Sequence, residues 1–224
     1  MKITTKPADL DFNQSYIGSR SDVLQLVPAT VKNVLDVGCS IGVLGAAIKE
    51  KTSSRVVGID LSQKMADIAS TKIDKVIVGN IEDEKIQGSL KKERFDAIIF
   101  ADVLEHLFDP WVVLRRLTAN LNPQGVVISS IPNIKHLDTI INLLVKGYWP
   151  YRKRGIHDWT HLRHFTKKNI VELFDGANLK IEKVEANYRL IESPHYLNKY
   201  AKYFALPFLK DFLAFQYLIV ARKK

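Results

Sequence analysis

Two acids and a glycine turn carry the most chemical information in this chain. Residues 34–45 read VLDVGCSIGVLG. An apolar, β-branched run contains Asp36, Gly38 and Gly42 follow, and a helical pattern then begins. That order describes a buried parallel strand, a tight turn and a helix start. Such a junction turns backbone N–H groups and the positive end of a helix toward a ligand. The glycine order is not the G-x-G-x-x-G of a dinucleotide site, because Gly38 and Gly42 enclose Cys39, Ser40 and Ile41. Asp36, just before the turn, repels a pyrophosphate and attracts an ammonium. The two glycines let the backbone approach the ligand in conformations that a Cβ blocks. Cys39 and Ser40 are expected to offer N–H groups. Asp60 ends the next apolar strand, where an acid accepts hydrogen bonds from both hydroxyls of a ribose. Together, Asp36 and Asp60 fit a ligand with an amine and a diol. Cys39 is the chain's single cysteine and has no evident base beside it, so it reads as a small turn residue.

A second group of reactive side chains lies in GIHDWTHLRHFT, residues 155–166. His157, Asp158, His161, Arg163 and His164 crowd together there. The spacing of the three histidines suits one face of a helix and raises a metal site. Trp159 and Thr160 read instead as loop, and Phe165–Thr166 as the start of a helix. The segment is therefore expected to be a cover over the site, with no metal.

Four segments occur together in order: the glycine turn, DVLEHL (102–107) before a DP, SIPN (130–133) and HLRHFT (161–166). On these the chain resembles the class I S-adenosylmethionine-dependent methyltransferases, from about Tyr16 to the C-terminus. S-adenosylmethionine has an ammonium and a diol and no phosphate, which agrees with the two acids. The resemblance implies that Asp36 meets the methionine ammonium, Asp60 the ribose and Leu61 the adenine. Asn80 stands where relatives often carry an aspartate facing the adenine amino group, and its amide oxygen can accept that bond. Ile81 supplies an apolar wall, with Glu82 beside it. Ala101 and Asp102 line the methionine end, His106 with Glu105 touches the cofactor or holds its loop, and Tyr16 covers it. Ser40 replaces a glycine common in the family. His161 is the expected general base or acceptor contact, with His157 and Asp158 beside it. Arg163 binds an anionic acceptor or pairs with an acid of the fold. The product is S-adenosylhomocysteine.

The acceptor implied by the resemblance is an oxygen or nitrogen of a small molecule, with a sugar or cell-surface glycan precursor preferred by family analogy. A lipid-linked acceptor and peripheral membrane contact are a second possibility. Residues 190–211 are aromatic and basic, and Tyr196, Tyr200 and Phe204 fall on one helical stripe beside Lys199 and Lys202. Packing onto the sheet is the commoner reason for such a stripe. A non-catalytic cofactor-binding protein and a nucleic-acid methyltransferase are the alternatives. The sequence ADVL after strand four, in place of [ND]PP[YF], disfavours methylation of base nitrogens.

The elements that position these residues alternate as strand and helix, which predicts an α/β, Rossmann-like doubly wound sheet. Strands are expected at 33–37, 55–59, 75–78, 95–100, 126–130, 180–188 and 212–221. Helices are expected at 21–27, 42–51, 62–72, 110–121 and 167–176. The resemblance adds that the sheet has seven strands, with the last ones forming an antiparallel edge hairpin. Residues 79–94 read as irregular and 122–125 (NPQG) as a turn. Two long connections, 133–165 and 190–211, follow strands five and six and are expected to form a lid. Residues 1–30 read as an N-terminal cap on one domain spanning 1–224.

Composition sets outer limits. A hydrophobic content of 46% over 224 residues excludes a disordered chain. No leader or membrane-spanning segment is legible, so a cytoplasmic location is expected. The net charge of +9 is spread along the chain, with small groups at 151–154 and 222–224. No basic stripe with interleaved aromatics suggests nucleic acid as the partner.

Overall fold

The structure is a computed structural model and describes residues 18–224; Tyr16 lies outside them. Seven strands form one sheet: β1 (Asn33–Val37), β2 (Arg55–Asp60), β3 (Lys75–Val78), β4 (Phe95–Ala101), β5 (Leu121–Pro132), β6 (Leu179–Tyr188) and β7 (Ala214–Lys223). Their order is β3-β2-β1-β4-β5-β7-β6. The first five are parallel, and β7 runs antiparallel between β5 and β6. The expected antiparallel edge is therefore present.

The apolar strands are buried on both faces, as a parallel sheet with two helical layers requires. Alternate residues of one strand enter different cores. Leu35 and Val37 join one cluster, and Val34 joins the other. The first core packs against α5 (Pro110–Thr118) and α7 (Lys167–Gly176) through Val113, Leu114, Leu117, Ile170, Leu173 and Phe174. The second packs against α1 (Ser21–Leu26), α2 (Val43–Thr52) and α3 (Gln63–Ala69) through Val23, Leu44, Ile48 and Ala69. After β1 the chain winds outward to β2 and β3, then returns to place β4 on the other side of β1. Doubly wound sheets bind ligands at the strand C-termini where the winding reverses, here between β1 and β4.

The helix ends follow local chemistry. Ser62 and Asp109 cap α3 and α5 by accepting from Met65 N and Val112 N. Thr166 and Asn169 form a reciprocal capping box at α7.

Three expectations need correction. Residues 79–94 contain α4 (Glu84–Ser89). It is one and a half turns with a single apolar anchor, Ile86, too short for periodicity to reveal. The segment NPQG does not separate α5 from β5, because it lies inside β5. A register irregularity between Phe95 and Ala97 takes up the extra residues, as a bulge does. The two long connections carry short helices of their own. The first holds α6 (Leu137–Ile140) running into a π-turn, Ile141–Val145, and the second holds α8 (Ala201–Phe204) and α9 (Lys210–Leu213). Finally, the aromatic stripe does not pack on the sheet, since Tyr196, Tyr200 and Phe204 are all exposed.

Candidate active site

The glycine turn leaves β1 against the tip of β2. Gly38 and Gly42 both have positive φ, at 72° and 74°. A Cβ on Gly38 would lie 2.6 Å from Val103 Cγ2, so the turn directly abuts the loop after β4. Ser40 adopts φ 49° and donates its N–H to Asp60 Oδ2 at 2.8 Å, while Ser62 N donates to Oδ1 at 2.9 Å. Asp60 thus fastens two loops, and each oxygen still has acceptor capacity for one hydroxyl of a diol. This corrects the expectation for Cys39 and Ser40, whose N–H groups are taken by Ile59 O and Asp60. The Cys39 side chain is buried, its sulfur 2.5 Å from where a Gly58 Cβ would stand, and burial pushes its thiol pKa up. It is a core residue.

Asp36 is 1% exposed, and its Oδ2 has no hydrogen-bond partner among the described residues. Burial first, then the charge of Asp60, raises its pKa to about 7. A buried carboxylate without a partner is costly, and a cation beside it relieves that cost. The arrangement therefore fits the ammonium end of S-adenosylmethionine.

The tip of β4 carries a polar cluster. Asp102 takes φ 56°; its Oδ1 accepts from Ser130 Oγ at 2.9 Å and Gln216 Nε2 at 2.5 Å, and its Oδ2 accepts from Arg20 at 2.5 Å. Arg20 also donates to Ser130 Oγ at 2.8 Å. Burial works against the Arg20 charge, but Asp102 and Asp22 outweigh it and raise its pKa. Sequence reasoning missed Arg20, Ser130 and Gln216. No local spacing announces them, since they converge from three distant segments. Ala101 sits half-buried beside this cluster.

On the adenine side, Leu61 is 66% exposed at the tip of β2, whereas Ile81 is buried. The Asn80 amide oxygen accepts from Glu82 N at 2.9 Å, forming a turn. Glu82 is committed elsewhere. Its two oxygens accept from Phe108 N at 3.1 Å and Asp109 N at 2.7 Å, which holds the entry to α5. This corrects the expectation that Glu82 faces the cofactor.

Residues 155–166 form a loop docked on the β4 tip: Leu162 N and Arg163 N both donate to Glu105 O, at 2.8 and 3.0 Å. The dock brings His161 edge-on to His106, with ring centroids 4.7 Å apart, and places His161 Nε2 4.0 Å from Glu105 Oε1. Burial, then the neighbouring His106, lowers the His161 imidazole to about 4, so it is neutral at pH 7. Glu105 is 1% exposed, and among the described residues neither carboxylate oxygen has a hydrogen-bond partner. Burial, then the charge of Asp102, raises its pKa well above the usual carboxylate range.

Three expected catalytic residues have structural work instead. His157 is fully buried; its Nδ1 pairs with Glu192 at 2.6 Å and its Nε2 with Thr139 at 3.1 Å. No ring nitrogen remains for an acceptor. Asp158 Oδ1 accepts from Thr160 N and Oγ1, at 2.9 and 2.6 Å, and so shapes the loop. Among the described residues Arg163 pairs with no acid: its Nε and Nη2 donate to Phe108 O, at 3.0 and 2.5 Å, and it lies against the Phe108 and Trp111 rings. Glu192 also accepts from Arg152, which reaches Asp138 at 3.2 Å, so the two insertions are linked by a charged cluster.

The comparisons with known proteins agree with this architecture. A family model described as a methyltransferase domain matches residues 14–184. A ubiquinone biosynthesis O-methyltransferase of Histophilus somni is 30% identical over 183 residues, covering 71% of this chain and 76% of that protein. A crystal structure of an S-adenosylmethionine-dependent methyltransferase from Archaeoglobus fulgidus superposes with a TM-score of 0.64, at 18% identity, over 94% of this chain and 97% of that one. Magnesium protoporphyrin IX methyltransferase from Synechocystis, solved with bound S-adenosylhomocysteine, gives 0.62 at 15% identity, over 94% and 84%. The strand order, the glycine turn between β1 and β4, and a family match across most of the chain lead to one conclusion: this chain belongs to the class I methyltransferase-domain family and is an S-adenosylmethionine-dependent methyltransferase.

Proposed function

We propose that the enzyme methylates an oxygen of a small acceptor held between the β4 tip and the two insertions. The observation that carries this reading is the docking of residues 161–163 on Glu105, which sets a neutral imidazole beside the β4 tip. Methyl transfer from a sulfonium has a good leaving group already. The protein must mainly orient the acceptor, exclude water and receive a proton. In this reading Asp36 holds the ammonium, Asp60 the ribose hydroxyls and Leu61 the adenine. Asp102 and Ala101 border the methionine end, His106 borders the acceptor, and His161 is the base. Residues 133–165 and 190–211 act as a lid.

Oxygen is favoured over nitrogen because the Histophilus somni relative is named as an O-methyltransferase. An apolar or lipid-linked acceptor is favoured over a sugar by the outer surface of the second insertion, where Tyr196, Tyr203, Phe204 and Phe208 are exposed among Lys199, Lys202 and Lys210. No helix among the described residues is long and apolar enough to cross a membrane, so such an acceptor would be reached from the membrane surface. The test is release of S-adenosylhomocysteine with prenylated phenols, glycan precursors and amines as separate acceptors. The reading expects turnover with the phenols. Turnover with the amines or sugars alone would contradict it.

A further inference from the structure

We propose that Arg154 and Arg189 form a subsite for a phosphate-class anion, carried by the acceptor at a distance from its reacting oxygen. The inference rests on the function proposed above and narrows its acceptor to a phosphorylated one. Arg189 leads out of β6 into the second insertion, and Arg154 belongs to the first. Both flank Glu192. Arg189 Nη1 donates to Glu192 O at 2.9 Å. Gly155, next to Arg154, runs so close that a Cβ there would lie 2.5 Å from Glu192 Oε1. Its φ of 87° is one that glycine adopts freely.

The Arg189 guanidinium is fixed without a carboxylate. Its backbone N–H donates to Leu213 O, and its carbonyl accepts from His136 Nε2, both at 2.9 Å. Its Cζ stands 3.9 Å from the centre of the Phe215 ring. A guanidinium has five N–H donors. Among the described residues, the bond to Glu192 O is the one hydrogen bond that this side chain makes. Burial works against its charge, Glu192 favours it and Arg154 opposes it, and the balance holds its pKa below the ordinary value. Arg154 is exposed and makes no ion pair among the described residues. An anion between the two guanidiniums removes their repulsion and engages the idle donors.

The carboxylates nearby are already engaged. Glu192 accepts from Arg152 and His157, and Arg152 also reaches Asp138 at 3.2 Å. Arg20 holds Asp22 at 3.3 Å and Asp102 at 2.5 Å. Arg163, the arginine expected to meet an anionic acceptor, gives its donors to Phe108 O. Arg189 also stands on the acceptor side of the crevice. Asn187, two residues earlier, donates to Asp22 Oδ2 at 2.9 Å and to Gln216 Oε1 at 3.3 Å, and Gln216 in turn bonds to Asp102. Two guanidiniums match the double charge and the several oxygens of a phosphate better than the single charge of a carboxylate. β5 and β7 lie between β4 and β6, so at sheet spacing the subsite is on the order of 10–15 Å from the β4 tip. An acceptor that fills both places carries its phosphate at about that distance from the methylated oxygen.

The experiment titrates the full chain with inorganic pyrophosphate by calorimetry and measures S-adenosylhomocysteine binding in the same sample. The expected result is one pyrophosphate per chain, bound more weakly as salt rises. Arg154→Gln and Arg189→Gln should each weaken it by at least about tenfold and leave the affinity for S-adenosylhomocysteine unchanged. Lys92→Gln, which removes the same charge from an exposed site at the other end of the sheet, should leave both unchanged. If Arg189→Gln fails to fold, Arg154→Gln carries the test, since its side chain is exposed. Dodecyl phosphate against inorganic phosphate separates the sources: tighter binding of the former assigns a lipid phosphate, and equal binding a soluble one. A phenol bearing a phosphate on an alkyl chain should have a lower KM than the same phenol without it, and Arg154→Gln should abolish the difference. Wild type that binds S-adenosylhomocysteine but no pyrophosphate would overturn the subsite. So would folded variants that lose no more than Lys92→Gln, or equal KM values for the two phenols. Pyrophosphate bound, and lost in both arginine variants, with no phenol turned over would support the subsite and count against the phenol reading.

Discussion

Asp36 is the residue whose state most affects cofactor binding. In the fold its pKa stands at about 7, because burial and Asp60 oppose its charge. A carboxyl that titrates higher when folded binds more protons than the unfolded chain between the ordinary acid range and about pH 7. Its contribution to stability therefore falls as pH rises through that window. An ammonium favours the ionised form, so binding below that pKa must expel a proton. The affinity for S-adenosylhomocysteine should rise by up to about tenfold per pH unit toward pH 7 and then level off. Calorimetry at a series of pH values checks this, and Asp36→Asn should give a weaker, flatter profile. Gly38→Ala makes a separate test. The new Cβ would enter Val103 and sit at φ 72°, a conformation costing a residue with a Cβ roughly 1–2 kcal/mol. Cofactor affinity should fall at least about tenfold while circular dichroism remains native. Asp36 and Asp60 were legible in the sequence because Asp60 ends an apolar run and Asp36 interrupts one just before its glycine turn. Arg20 and Gln216 were not, because they reach Asp102 across 82 and 114 residues, a distance that local spacing does not encode.

At the scale of elements, what was legible follows from how much apolar periodicity each segment carries. β1, β2 and β4 are continuous buried runs and stand where the pattern puts them. α7 announces itself by Thr166 and the Ile170, Leu173, Phe174 spacing. α4 and the short helices of the insertions are stabilised by tertiary contacts, so no periodic signal precedes them. The link between the insertions was hidden for the same reason. His157 looked catalytic by type, but Glu192, 35 residues on, makes it a strut. Burial works against the Glu192 charge, and His157 with Arg152 outweighs it and lowers its pKa. Glu192→Ala strands both partners and should cost about 3 kcal/mol, as loss of one member of a buried pair does. Its denaturation midpoint should fall. The KM for acceptor should rise several-fold, with the affinity for S-adenosylhomocysteine nearly unchanged. An equal loss of both affinities would show that the insertions support the cofactor pocket itself.

For the whole molecule, the sheet order does the positioning. β1 and β4 are neighbours with β2 beyond, so the acids on β1 and β2 and the cluster on β4 meet at one edge. The alternation of Val34 and Leu35 between two cores is what places helices on both faces and leaves only the strand tips open to a ligand. The net charge of +9 contributes nothing this specific, being distributed over the surface. The central claim is that two acids on adjacent strand tips grip an amine and a diol while the insertions close over them. A crystal structure of the chain with S-adenosylhomocysteine tests it most directly. The account predicts the adenine on Leu61, both ribose hydroxyls on Asp60 and the ammonium within reach of Asp36. A nucleoside bound away from the β2 tip, or an ammonium turned away from Asp36, would contradict it.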